Sequence, residues 1–119
     1  MKPEELSDRF LDFSVRIGHV VDALPETRLG RHVASQLVRS GTSPGPNYEE
    51  GCAAESRADF AHKLSIVLKE LRESRYWLRL VVRAKLLSDQ KMNGLIDESD
   101  QLCRIIGKSV ATAKNRSKT

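Results

Sequence analysis

Between residues 69 and 83 the chain sets Lys69, Arg72, Arg75, Tyr76, Arg79 and Arg83 mostly three or four positions apart. On a helix turning ~100° per residue, that spacing gathers all six on one face. Guanidinium forks repeated in this way can follow a row of phosphates, and a tyrosine among them can stack on a base. An ordinary solvated face, pairing with acids on neighbouring helices, has the same composition. Both readings fit. A second basic group, Lys108, Lys114, Arg116 and Lys118, follows Gly107 with no acid after it. The remaining residues hold 16 bases against 16 acids, so the net charge of +4 is a C-terminal feature. Such an end can touch RNA, DNA or an acidic partner. It can equally be a solvated helix terminus, where cations favour the negative pole of the helix dipole.

Catalytic chemistry finds little support. His19, His32 and His62 lie on three separate segments, none with a second ligand at helical spacing. There is no H-E-x-x-H element, glycine-rich phosphate loop or nucleophile elbow. Glu70 and Glu73 form a carboxylate pair on one helix, but a di-metal bundle needs a Glu-x-x-His element beside it. Acids so close to arginines read as structural ion pairs. Cys52 and Cys103 match neither a zinc motif nor a disulfide framework. The sequence therefore predicts a non-enzymatic chain with no catalytic residue, no metal site, no cofactor and no small-molecule substrate.

The elements that must position these groups are helical. Aromatic residues are 5% of the chain and no alternating β-branched run occurs, which leaves sheet unsupported. At 119 residues the chain suffices for one domain, 1–119, with about 108–119 a basic helix end and tail. No apolar stretch approaches the ~20 residues of a membrane span. The opening MKPEEL has no apolar signal core, so the expected location is cytoplasmic.

A first helix over about 4–24 carries Leu6, Phe10, Phe13, Ile17, Val20 and Leu24 on one stripe and stops before Pro25. Thr27 is the expected N-cap of a second, with Leu29, Val33, Leu37 and Val38 inward. The prolines and glycines of SGTSPGPNYEEG forbid a regular helix through its middle, and a short turn restarts at Asn47, capped by Glu50. Ser56 and Asp59 open a third helix, about 57–87, with Phe60, Leu64, Val67, Leu71, Ser74, Leu78 and Val81 inward. A fourth runs from about Gln90 to Lys114. The expected fold is all-α, an antiparallel up-down four-helix bundle whose second helix is kinked by Pro and Gly.

The third helix has a further strip. Trp77, Leu80 and Ala84 lie outside both the core stripe and the arginine row. A bundle needs one buried stripe per helix, so a second apolar strip implies a covering surface, and a further copy of the chain is the economical one. The alternative is that the strip widens contact with a neighbouring helix of the same bundle.

The segment SPGPNYEEG, followed by ESRADFAHKLSIVLKELRESRYWLRL, resembles bacterial four-helix-bundle proteins encoded within intervening sequences of large-subunit ribosomal RNA genes. Ser43, Asn47, Glu50 and Gly51 carry the likeness in the kinked helix. In the next helix Ser56, Asp59, Phe60, Lys63, Leu64, Glu70, Leu71, Glu73, Ser74, Tyr76, Trp77 and Leu78 carry it. DESDQLCRIIGKSVATAK resembles the family's closing segment, and the likeness spans about Phe10 to Lys114. Pro44-Gly45-Pro46 departs from the resemblance, since related sequences commonly have a less glycine-rich stretch there. The resemblance implies a homopentameric ring around a central channel, with a cellular role largely unassigned. A related branch, the accessory variability proteins of diversity-generating retroelements, implies binding to nucleic acid or to a nucleic-acid enzyme. Alongside this, the residues themselves predict a structural polar network of Arg39, Asn47, Glu50, Glu70 and Glu73, because a buried carboxylate needs such partners.

Overall fold

The computed structural model describes residues 1–117 as five helices, with no strand among them. They are α1 (Pro3–Ala23), α2 (Arg28–Thr42), α3 (Pro44–Cys52), α4 (Arg57–Arg83) and α5 (Asp89–Ser117). Taking α2 and α3 together gives the four helical segments expected.

Local chemistry sets the boundaries. Pro3 opens α1, where a missing N–H costs nothing. Leu24, pushed to an extended conformation by Pro25, closes it. Thr27 Oγ1 accepts the Gly30 N–H at 3.0 Å and caps α2, and Ser56 Oγ accepts the Asp59 N–H at 3.1 Å and caps α4.

The proline-rich segment departs from the sequence expectation. Helix α2 continues through Ser40 and Gly41 to Thr42, and α3 begins at Pro44 rather than Asn47. The physical reason lies in where the prolines stand. Pro44 and Pro46 occupy the first turn of α3, whose N–H groups have no partner within the helix. Ser43 between the two helices itself has helical dihedrals, φ −78° and ψ −35°.

The end of α4 is also earlier than the expected residue 87. Lys85 has φ 58°, and beyond it the Leu86 N–H reaches the Val81 carbonyl at 2.9 Å. This left-handed residue with its 6→1 bond is a Schellman-type stop, made here without glycine.

The core follows the helical stripes. Leu6, Phe10, Phe13, Ile17 and Val20 of α1 and Leu24 at its end are buried, as are Leu64, Val67, Leu71, Leu78 and Val81 of α4 and Met92, Leu95, Leu102, Ile106 and Val110 of α5. Each large side chain so buried contributes about 1.5–3 kcal/mol. Tyr48 of α3 joins them, its ring 5.3 Å from that of Phe10.

Helix α2 differs from expectation. Val33 and Leu37 are buried, but Leu29 and Val38 stay 42% and 41% exposed. The inward face of α2 is completed by small residues, Gly30 against Pro25, Ser40 against Ser74 of α4 and Gly41 against Ile17 of α1. A Cβ on Gly41 would sit 2.7 Å from Ile17 side-chain carbons.

Several contacts fix how the helices meet. Ser7 donates to Glu49 and Ser14 to the Gly41 carbonyl, joining α1 to α3 and α2. Arg9 grips Glu98 of α5 through two bonds, at 2.6 and 3.0 Å. Arg75 of α4 reaches Asp100 of α5, and Ser74 of α4 donates to Ser40 of α2.

Candidate functional site

Helix α4 is 27 residues long without glycine or proline, and its inner positions run from Ala61 through Leu78 to Val81. The positions opposite must face out. Lys69, Arg72, Tyr76, Arg79 and Arg83 are all exposed, Tyr76 to 60%. Among the described residues, none of these four cations pairs with a carboxylate. Arg75 stands apart from the row. It is half-buried and 3.4 Å from Asp100, because its side of α4 is the side on which α5 packs.

One end of the row opens into a cleft of about 410 Å³ lined by Leu29 of α2 with Tyr76, Arg79, Leu80, Arg83 and Ala84 of α4. The cationic row and the apolar strip, separate features in the sequence, thus converge there. Trp77 borders them half-buried. Its indole N–H reaches Glu73 Oε2 at 3.1 Å, and its ring meets His32 and Tyr76 edge-on, at 5.7 and 5.3 Å between centroids. Trp77 and Leu80 pack against the chain's own core while Ala84 is exposed, so α2 already covers part of the strip. Leu29, expected inward, faces this cleft instead. The residue that turns inward at the start of α2 is Gly30, where a Cβ would lie 2.0 Å from the Pro25 carbonyl oxygen.

Beneath the row, Arg39 of α2 joins two acids of α4. Its Nη1 lies 3.0 Å from Glu70 Oε2 and its Nη2 donates to Glu73 Oε2, with Gln36 as a further acceptor at 3.4 Å. Glu70 is only 8% exposed and Ser40 and Ser74 beside it are buried. Asn47 and Glu50, expected in the same network, lie outside it. Asn47 donates to the Ser43 carbonyl and hydroxyl, both at 3.0 Å, and Glu50 accepts from Lys63 at 2.9 Å. The earlier start of α3 accounts for this, since Asn47 then faces back one turn to Ser43 and Glu50 falls opposite the first turns of α4.

The second basic group is at the other end of α4. Lys108, Lys114 and Arg116 are exposed on the last turns of α5, and Lys118 lies outside the described residues. Lys108 and Arg116 share a cavity of about 310 Å³ with Arg57 and Phe60, at the start of α4. Neither Arg57 nor Phe60 stood out as a site residue in the sequence, where no spacing links residue 57 to residue 116.

Two buried groups titrate abnormally. Burial pushes the Cys103 thiol up, against the lowering field of Arg75. Burial, reinforced by a hydrogen bond with Cys52, pushes the Tyr48 hydroxyl up as well. Both cysteines are free, Cys52 exposed and Cys103 buried. Among the described residues, no group of three or more His, Cys, Asp or Glu side chains could hold a metal ion. No helix there is long and apolar enough to cross a membrane.

Comparison with known proteins agrees with this architecture. No curated protein matches the chain. A crystal structure from Bacteroides thetaiotaomicron, a protein of unknown function from the S23 ribosomal protein family, matches with a TM-score of 0.82 and 33% sequence identity. The match covers 88% of this chain and 97% of that one. The family model for the 23S rRNA-intervening sequence protein matches residues 5–108. With all but the extreme ends of the chain so matched, this protein belongs to the 23S rRNA-intervening sequence protein family.

Proposed function

We propose that this chain is a non-catalytic, homo-oligomeric binding module of the cytoplasm that engages nucleic acid, or an enzyme acting on nucleic acid, through the outer face of α4. The observation that carries this reading is the row of Lys69, Arg72, Arg79 and Arg83, exposed and without carboxylate partners among the described residues, with Tyr76 beside them. A polyanion supplies the counter-charges, and Tyr76 supplies a face on which a base stacks. In this reading the fold is an antiparallel up-down bundle, with α2 and α3 the two arms of a kinked second helix. Pairings of low with high residue numbers support it, Ser7 with Glu49, Arg9 with Glu98 and Arg39 with Glu70 among them.

Five copies form the assembly in this reading, the number the family resemblance implies. Leu11 and Val15 of α1, exposed to 64% and 52%, favour a covering copy, and so does the apolar side of the α2–α4 cleft. The same exposed leucine and valine, beside Asp8 and Asp12 on α1, also favour a second reading, a self-assembling or protein-interacting scaffold with no nucleic-acid affinity.

Binding of single-stranded RNA and DNA, measured from low to moderate salt, separates the two. Phosphate contacts predict a log–log slope of about −0.7 per contact for a single strand. Replacing Arg72, Arg79 and Arg83 by Gln flattens that slope and weakens binding to every sequence alike. No binding at low salt by the intact chain refutes the nucleic-acid reading and leaves the scaffold.

A further inference from the structure

The geometry points to a discrete site for a phosphorylated planar ring, a nucleotide free or at the end of a strand, where α4 begins and α5 ends. This rests on the nucleic-acid reading proposed above, to which it adds a second, differently shaped contact.

Three features of the cavity select that ligand. Its volume of about 310 Å³ is at the small end of the range for small-molecule sites, suited to one nucleotide and not to a length of strand. Among the described residues its rim carries Arg57, Lys108 and Arg116 and no acid. Among the described residues neither Arg57 nor Lys108 forms an ion pair. Arg57 and Lys108 facing one small cavity suit a multiply charged anion such as a terminal phosphate monoester, which carries nearly two charges at neutral pH. Arg57 is also the first residue of α4, where the helix dipole is positive and favours an anion further.

The third feature excludes a bare anion. The lining includes the half-buried ring of Phe60 and the buried Ala113, with Ser109 and Thr112 as further polar residues. Inorganic phosphate leaves that apolar surface wet, whereas a flat ring covers it. A base stacked on Phe60 covers the ring while its phosphate meets the cations, whereas an acidic peptide side chain meets the cations and leaves the ring uncovered. The α4 row differs in kind: Lys69, Arg72, Arg79 and Arg83 follow one another along a helix face, a spacing suited to successive internal phosphates, and only its far end borders the α2–α4 cleft.

The test compares adenosine 5′-monophosphate, adenosine and inorganic phosphate on the intact chain by calorimetry. A second comparison uses a short RNA with a 5′-phosphate and the same RNA with a 5′-hydroxyl. The nucleotide binds at least about tenfold more tightly than either of its halves, since charge and ring surface act together. Arg57→Gln with Lys108→Gln, both exposed positions, removes that advantage, and Phe60→Leu reduces the nucleotide to the affinity of phosphate. A 5′-phosphate advantage abolished by Arg57→Gln assigns the ligand to strand ends, and nucleotide binding without such an advantage assigns it to the free nucleotide. Equal affinity for nucleotide and phosphate, or nucleotide affinity untouched by the Arg57 and Lys108 changes, overturns the proposal. An acidic peptide competing as well as the nucleotide overturns it too. The two readings fail separately, because the 5′-hydroxyl RNA reports on the α4 row while the mononucleotide reports on this cavity.

Discussion

The Oε2 atom of Glu73 accepts the indole N–H of Trp77 at 3.1 Å and, on the same atom, a guanidinium N–H of Arg39. One carboxylate oxygen thereby ties α2 to the aromatic edge of the α2–α4 cleft. Glu70, one turn earlier, takes the other arm of the same guanidinium. The tryptophan ring that borders the candidate surface is thus held by charges lying beneath it.

Removing Arg39 therefore harms the fold more than neutralising either acid. Arg39→Ala leaves Glu70, only 8% exposed, next to Glu73 with no cation bonded to either. Because Arg39 itself is half exposed, the loss falls below that of a fully buried pair, and about 2–3 kcal/mol is expected. Glu70→Gln keeps an acceptor and leaves Arg39 paired with Glu73, so about 1 kcal/mol is expected. Urea unfolding of the two variants checks the order, and equal stability of Arg39→Ala and the parent chain removes the structural role from this network.

Gly41 of α2 lies directly against Ile17 of α1. A methyl there meets Ile17 Cγ1 and Cγ2 at 2.7 Å, inside a core that has no slack on that side. Gly41→Ala is expected to cost about 1–3 kcal/mol through overpacking, although alanine ordinarily favours a helix over glycine. Combining it with Ile17→Ala, which removes both γ carbons, relieves that clash, so the double variant loses less than the sum of the two single changes. Thermal unfolding of the single and double variants measures the coupling, and an additive result shows that the two side chains do not compete for space.

The contrast between α1 and α2 shows what a one-dimensional pattern can carry. In α1 and at its end, Leu6, Phe10, Phe13, Ile17, Val20 and Leu24 follow helical spacing and all six are buried, because periodicity alone fixes which face turns inward. In α2 the inner face belongs partly to Gly30, Ser40 and Gly41, which no hydrophobicity pattern selects, so Leu29 and Val38 turn out toward solvent. Pro44 and Pro46 read as helix breakers, yet in a first turn they are compatible with α3. Lys85 ends α4 in a left-handed conformation that glycine would have announced. The arginine row was legible for the same reason as the α1 stripe, being periodic on one helix. Arg57 and Phe60 beside Lys108 and Arg116 were not, since only the packing of α4 on α5 brings positions so far apart in the chain together.

Alkaline pH is expected to weaken the fold through Tyr48. Burial against Phe10 and the bond with Cys52 hold its hydroxyl neutral above the ordinary tyrosine range. Below pH ~10 the group is neutral in folded and unfolded chains alike, and its contribution is fully present. Above that, the unfolded chain releases the proton first, so stability falls as pH rises toward the folded value. Cys103, also pushed up by burial, acts in the same direction from a lower starting pH. Tyr48→Phe should flatten the fall above pH ~10 and leave the thiol's share in place. Chemical unfolding at pH 7, 9 and 10.5 tests this, and an unchanged slope in Tyr48→Phe removes the tyrosine from the account.

The last expectation concerns what covers the cleft. Trp77 is the chain's single tryptophan, half-buried beside His32 and Tyr76, and Leu80 lines the cleft one turn further along α4. If a second copy seats on that cleft, the indole gains cover on assembly, and its emission shifts to longer wavelength on dilution as subunits part. Leu80→Arg sets a charge against the existing Arg79 and Arg83, so repulsion adds to lost apolar contact and assembly weakens by about tenfold or more. Light scattering on the parent chain and on Leu80→Arg reads the mass directly, with tryptophan emission as the local report. A mass that falls in the variant together with a red-shifted emission places the cleft at the interface. A full-size assembly in Leu80→Arg moves the interface elsewhere, with Leu11 and Val15 of α1 the next surface to change.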